Sequence, residues 1–197
     1  MEYQDRIIKY LKENHGIVTT AWCESQSIPR AYLSKMEKEG LITRIARGIY
    51  IDESGDYDEY YFFQLVNSKC IYSYVSALYL QRKTDIIPQN LEVTVYKGYN
   101  VHRIPDEVMV HYVSKDIYEL GKIEVNTIFG NPVYAYNLER TVCDLIKNRK
   151  KVESELFSKT IQVYIKSRDK NMNTLFKYAE KMGIIDKVQE IMEVCFE

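Results

Sequence analysis

Between Arg30 and Arg47 the chain places five cationic side chains, Arg30, Lys35, Lys38, Arg44 and Arg47, against two carboxylates, Glu37 and Glu39. Cations at this density neutralise phosphates and donate to base edges, so this stretch carries the first chemical expectation. A second group, Glu139, Arg140 and Asp144, falls at helical spacing, with Arg140 and Asp144 on one face. That group reads either as a catalytic cluster or as a structural ion pair in which Arg140 anchors a helix to a sheet. The structural pair is the reading favoured.

Other chemistries find no residues to perform them. A restriction-type nuclease needs an acidic-x-Lys pair on a strand after a metal-binding carboxylate, and neither Asp-x-Lys nor Glu-x-Lys occurs. A nucleotidyltransferase needs Gly-Ser followed by spaced carboxylates. The sole Asp-x-Asp, Asp56-x-Asp58, falls in an acidic run that reads as a solvated hinge. Eight glycines are scattered at turns, so no phosphate loop and no nucleotide site is expected. His15, His102 and His111 stand alone, without companions at zinc spacing, and no metal, cofactor or catalytic residue is assigned. The chain is expected not to be an enzyme.

The cationic stretch must be positioned by the elements around it. Ile7, Ile8 and Leu11 recur at helical spacing over Asp5 to Asn14, and His15-Gly16 ends that helix. Thr19 or Thr20 can cap a short helix over Ala21 to Ser25. Pro29 suits the first position of a third helix, which runs to about Glu39 with Leu33 and Met36 inward and stops at Gly40. Two short strands, Leu41 to Ile45 and Gly48 to Ile51, flank a tip at Ala46-Arg47. Three helices and a hairpin in this order predict a winged helix-turn-helix. If Ile28, Tyr32, Leu33 and Met36 face inward, Arg30, Ala31, Ser34, Lys35 and Lys38 present the outer face to a major groove. Arg44 and Arg47 on the wing then reach the flanking backbone or a minor groove. A solvated charged helical face is the alternative; the order of elements and the basic wing favour DNA.

Charge follows the same division: residues 1–51 carry a formal +2 and the remainder −3, within a chain of net −1. From Asp52 to Glu59 five of eight residues are acidic around Gly55, and the domain boundary is expected there. The resulting domains are 1–55, the DNA-binding unit, and 56–197, whose helical tail starts near residue 152. The second domain opens with an aromatic-rich helix over Tyr57 to Asn67, a strand over Cys70 to Tyr72 and a helix over Ser73 to Arg82. Strands follow at Leu91 to Tyr96, Val108 to Val113, Ile123 to Phe129 and Val133 to Tyr136. Helices return at Leu138 to Ile146, Val152 to Ser167, Thr174 to Met182 and Lys187 to Cys195. The expected class is α+β, a winged helix followed by a mixed body with a helical tail.

With 197 residues, 46% hydrophobic, the chain can bury one or two cores unaided. Its four cysteines are far apart among apolar neighbours and read as reduced thiols. No apolar run spans a membrane, and Met1 to Lys12 is amphipathic and carries Glu2 and Asp5, without the basic start and apolar run of a signal peptide, so a cytoplasmic location is expected. Eighteen tyrosines, several clustered from Tyr57 to Tyr79, suit core and interdomain packing or an interface. Lys147-Asn148-Arg149-Lys150-Lys151 reads as a solvated helix end or a second nucleic-acid contact.

The run Leu33-x-x-Met36-x-x-x-Gly40-Leu41-x-x-Arg44-x-x-x-Gly48-x-Tyr50 resembles the AbiEi antitoxins of abortive-infection type IV toxin-antitoxin systems. So do Val75-Ser76-Ala77-Leu78-Tyr79-Leu80 with Pro88, Leu138-Glu139-Arg140-Thr141-Val142-Cys143-Asp144, and Leu175-x-x-Tyr178-Ala179-x-x-Met182-Gly183. The resemblance runs from about Asp5 to Val194. It implies a phage-defence antitoxin that represses its own operon by binding double-stranded promoter DNA at inverted repeats through the N-terminal domain. It also implies a C-terminal domain that neutralises a co-encoded nucleotidyltransferase-like toxin, with or without a lasting complex. Glu139, Arg140, Thr141 and Asp144 then match a family signature. A stand-alone winged-helix regulator, whose C-terminal domain senses a ligand or a protein, is the alternative.

Overall fold

The computed structural model describes residues 2–196, with Phe196 described by its backbone alone. It divides into two compact units, Met1–Val66 and Asn67–Glu197.

In the first unit α1 (Tyr3–Glu13) buries Ile7 and Leu11, and the Glu2 amide donates to the Asp5 carboxylate at its start. The chain leaves α1 through left-handed His15 and Gly16; a Cβ at Gly16 would sit 2.4 Å from the Asp52 carboxylate and 2.6 Å from the Gly55 backbone. A strand absent from the sequence-based expectation follows, β1 (Ile17–Thr19). Its last residue doubles as the cap of α2 (Thr20–Ser25): the Trp22 amide donates to Thr19 Oγ1 at 3.1 Å. Helix α3 (Ala31–Lys38) begins two residues after Pro29, with Arg30 at its N-cap, and buries Leu33 and Met36. Strands β2 (Thr43–Ala46) and β3 (Ile49–Ile51) turn at Arg47-Gly48, one residue later than expected, because Gly48 takes the left-handed conformation at φ +79°.

Strand β3 lies between β1 and β2, both antiparallel to it, so Tyr50 is flanked by Val18 and Arg44. The core under this sheet joins Ile7, Leu11, Val18, Cys23, Leu33 and Met36, with Tyr10 stacked on Trp22 at 3.7 Å between centroids.

The acidic segment after β3 is folded onto the first unit. The Asp52 amide donates to the Gly16 carbonyl at 2.9 Å, Ser54 bonds back to Asp52, and buried Asp58 accepts from the Tyr61 amide at 3.1 Å. Asp58 thereby starts α4 (Glu59–Val66), whose Phe62 packs with Ile17, Ile49 and Ile51. The division therefore falls after Val66 rather than at 55/56, since the apolar face of α4 is used by the hairpin side of the first unit.

The second unit is built on a five-stranded sheet in the order β6-β5-β4-β8-β7. Its strands are β4 (Ile71–Tyr72), β5 (Glu92–Tyr96), β6 (Met109–Val113), β7 (Lys122–Asn126) and β8 (Pro132–Tyr136). The β4-β8 and β5-β6 pairs are parallel, and the β4-β5 and β7-β8 pairs antiparallel. Helix α5 (Tyr74–Leu80) follows β4, and α6 (Lys115–Tyr118) follows β6. Helix α7 (Leu138–Lys147), capped by Asn137, is buried from Leu138 through Ile146. Around it pack α8 (Ser154–Lys166), α9 (Met172–Lys181) and α10 (Ile185–Phe196), the tail expected from about residue 152. Their shared core includes Val142, Ile146, Ile161, Tyr164, Leu175 and Val188. Among the described residues no helix is long and apolar enough to cross a membrane.

Candidate nucleic-acid interface

Burial of Leu33 and Met36 turns the opposite face of α3 outward, leaving Arg30, Ala31, Ser34, Lys35 and Lys38 exposed. The hairpin adds exposed Arg44 and Arg47. Between them lies a cleft of about 360 Å³ lined by Thr20, Arg30, Ser34, Arg44, Arg47, Gly48 and Tyr50. Four of the seven residues expected from the sequence thus converge on one concavity. Ala31, Lys35 and Lys38 lie outside it, on the exposed face of the same helix.

The cleft depends on contacts that local patterning does not show. The Thr20 amide donates to the Gly48 carbonyl at 2.8 Å, tying the start of α2 to the tip of the hairpin. A Cβ at Gly48 would lie 2.5 Å from Thr20 Oγ1, so only glycine permits this approach without strain. Tyr50 is placed at the floor by the central position of β3. Thr20 and Tyr50 were outside the sequence-derived set because strand pairing brings them there. The one usable signal was the Gly-x-Tyr spacing in the hairpin.

The charges of the cleft are partly occupied. The Arg30 guanidinium pairs with Glu24 on α2 and Arg44 Nε donates to the Ala46 carbonyl at 3.3 Å; outside the cleft, on the same face of α3, Lys35 lies 3.8 Å from Glu39. Both ion pairs are solvent-exposed, where such a pair contributes about 0–1 kcal/mol and exchanges readily. Three guanidinium groups and the hydroxyls of Thr20 and Ser34 around one small concavity form a donor set suited to a phosphate's oxygens.

The Glu139, Arg140, Thr141 and Asp144 group lies within the second unit and is buried throughout. Arg140 Nε donates to Asp144 Oδ2 at 3.1 Å, and its Nη1 donates to the carbonyls of Ile117 (2.5 Å) and Leu120 (2.7 Å). Its guanidinium also lies over the Tyr136 ring, 4.1 Å from the centroid. Arg140 therefore joins α7 to the α6 region and to β8, while Thr141 Oγ1 donates to the Asn137 carbonyl. Glu139 accepts from the Asn171 amide at 3.0 Å, steadying the start of α9. Burial raises the Asp144 carboxyl above its usual range, an effect that Arg140 opposes. This arrangement is a brace between helix, loop and sheet.

Among the described residues no three His, Cys, Asp or Glu side chains gather as metal ligands, and His111 is paired with Glu92 at 2.8 Å.

Comparison with known proteins sets these features in context. A structure titled "Crystal structure of RV2827C protein from Mycobacterium tuberculosis" is similar over 93% of this chain and 76% of its own, at 11% identity and a TM-score of 0.56. That likeness is one of fold alone. No curated protein sequence matches the chain. Residues 5–51 match the family model described as "Transcriptional regulator, AbiEi antitoxin". The segment that builds the cationic cleft thus carries the sequence pattern of an AbiEi antitoxin transcriptional-regulator domain.

Proposed function

We propose that the chain is a transcriptional autorepressor and antitoxin of a phage-defence toxin-antitoxin operon, acting in the cytoplasm without catalytic activity. The observation that carries the DNA-binding part is the convergence of Arg30, Arg44 and Arg47, with Thr20 and Ser34, on one cleft between α3 and the hairpin. In this reading the first unit is a winged helix-turn-helix. Helix α3 enters a major groove with Ala31, Ser34, Lys35 and Lys38 toward base edges and phosphates, and the cleft takes a backbone phosphate at the groove's rim. Two copies on an inverted repeat would place their α3 helices about 34–36 Å apart, one turn of the duplex.

The antitoxin part is supported by the family pattern in residues 5–51 and by the resemblance of the later segments to the same family. The second unit would then neutralise a co-encoded nucleotidyltransferase-like toxin.

Fluorescence anisotropy on the DNA upstream of the chain's own gene tests the first part. The wild type should bind an inverted repeat in preference to scrambled duplex, and Arg44→Ala/Arg47→Ala should lose that binding. Equal binding by the variant would overturn the assignment. Co-expression with the neighbouring toxin from an unrelated promoter tests the second part, and there the same variant should still protect cells.

A further inference from the structure

A cavity of about 800 Å³ lies in the second unit, between the β5-β6 end of the sheet and the C-terminal end of α7. Its volume falls in the range of small-molecule sites. The parallel pairing of β5 and β6 sets Glu92 across from Met109 and Thr94 across from His111, so these four share one face of the sheet and all line the cavity.

The inner wall is built to hold its shape. Glu92 and His111 pair at 2.8 Å, and the His111 ring stacks on Tyr74 at 4.0 Å. The Tyr74 hydroxyl accepts from Asn148 Nδ2 at 2.7 Å, and the same nitrogen donates to the Asp144 carbonyl at 3.1 Å. Tyr74 holds this position with a left-handed backbone, φ +49°, at the first residue of α5. A bulky side chain rarely adopts that conformation, and such residues concentrate where a site must be fixed in advance.

The charges around the cavity do not cancel. Asp144 is paired with Arg140, and Glu92 hydrogen-bonds the His111 ring. Apart from the Asp144 pair, three ammonium groups, Lys97, Lys147 and Lys151, face the two carboxylates of Glu92 and Glu153. Among the described residues none of the three lysines makes an ion pair; Lys147 Nζ donates to the Met182 carbonyl at 3.1 Å. Beside them the rim exposes apolar surface: Ile87 is 73% exposed and Met109 50%. The basic run ending at Lys151 thereby acquires a place, since two of its lysines border this cavity.

We infer that this cavity binds a small amphipathic organic anion, its apolar or aromatic body against Ile87 and Met109 and its carboxylate or phosphate among Lys97, Lys147 and Lys151. The inference is independent of the DNA-binding reading, which concerns the other unit.

Isothermal titration calorimetry on the full chain is the test. The probes are 1-naphthoate and adenosine monophosphate as the carboxylate and phosphate arms, naphthalene-1-carboxamide and adenosine as their neutral counterparts, and inorganic phosphate alone. One anionic probe should bind at one equivalent, at least tenfold tighter than its neutral counterpart and than inorganic phosphate. Which arm binds identifies the source of the negative charge. Lys97→Gln/Lys151→Gln, both exposed positions, should weaken that binding about tenfold with unchanged thermal unfolding. Met109→Trp, on the exposed edge strand, should block the cavity and abolish it. Equal affinity for the neutral counterparts, indifference to both variants, or no binding of either anion at millimolar concentration would overturn the proposal. Operator binding measured in parallel separates this outcome from failure of the repressor assignment.

Discussion

Arg140 and Asp144 meet inside the second unit with side chains 0% and 4% exposed, one turn apart on α7 and joined at 3.1 Å. The arginine is the more heavily committed partner, because it also satisfies two carbonyls of the α6 region.

Arg140→Ala removes the aspartate's counter-charge and leaves those carbonyls without their donor, at a cost of about 3–5 kcal/mol. The pH dependence has a definite sign. Burial holds the Asp144 pKa above the unfolded value, so between the two values the folded state binds more protons and stability falls as pH rises. Loss of Arg140 raises that pKa further, so the variant's deficit should be largest at neutral pH and shrink on acidification. Urea melts of wild type and variant across the acid range measure it. A deficit constant with pH would mean that charge is not the reason for the loss. Arg140→Met/Asp144→Leu should cost less than Arg140→Ala, since no buried charge is left unmatched.

Operator affinity should fall with salt at a log-log slope of about −3 to −5 per half-site. Arg44→Ala/Arg47→Ala should flatten that slope by about 1 unit, the contribution of the one phosphate held in the cleft. Anisotropy titrations at four or more salt concentrations give both slopes, and parallel lines would place the two arginines away from the backbone.

Gly48→Ala asks a residue with a Cβ to hold φ +79° and to approach Thr20 Oγ1 at 2.5 Å. The left-handed conformation alone costs roughly 1–2 kcal/mol, and relief requires the hairpin tip to move off α2. Operator affinity should therefore fall although no charge has changed. Chemical-shift mapping would show the perturbation centred on Thr20 and Tyr50, and an unperturbed Thr20 would refute this account.

Phe62→Ala should cost the first unit about 3–5 kcal/mol through the space left among Ile17, Ile49 and Ile51. For the same reason a fragment of residues 1–66 should be measurably more stable than one of residues 1–55. Thermal melts of the two fragments decide this. Equal stability would return α4 to the second unit.

The reading of α3 and the hairpin from sequence succeeded where signals were local. Leu33 and Met36 repeat at helical spacing and Gly40 stops the helix, while the hairpin was legible to within one residue, its turn lying at Arg47-Gly48. Strand β1 was hidden because three residues between two helices carry no usable periodicity and Thr19 serves both strand and cap. The acidic run misled because composition cannot distinguish a solvated carboxylate from one that caps a helix, as Asp58 does. In the cleft, Arg30, Ser34, Arg44 and Arg47 were legible as exposed polar residues near one helix. Thr20 and Tyr50 were not, because only the β1-β3-β2 pairing brings them there. The cavity of the second unit was illegible for the same reason: Tyr74, Glu92, His111 and Asn148 are distant in sequence and meet through a parallel strand pair and a helix end.

The pairing of Arg30 with Glu24 carries one more consequence for the proposed interface. A carboxylate held beside the guanidinium is a resident competitor at high local concentration, so an incoming phosphate must evict it. Engagement at Arg30 is then an exchange of anions rather than a simple capture. Loosely held duplex gains little from that exchange, whereas a site that also satisfies α3 and the hairpin tips the swap toward DNA. The residue that weakens the grip on random sequence would in this way sharpen discrimination, and Glu24→Gln should tighten non-specific binding more than operator binding.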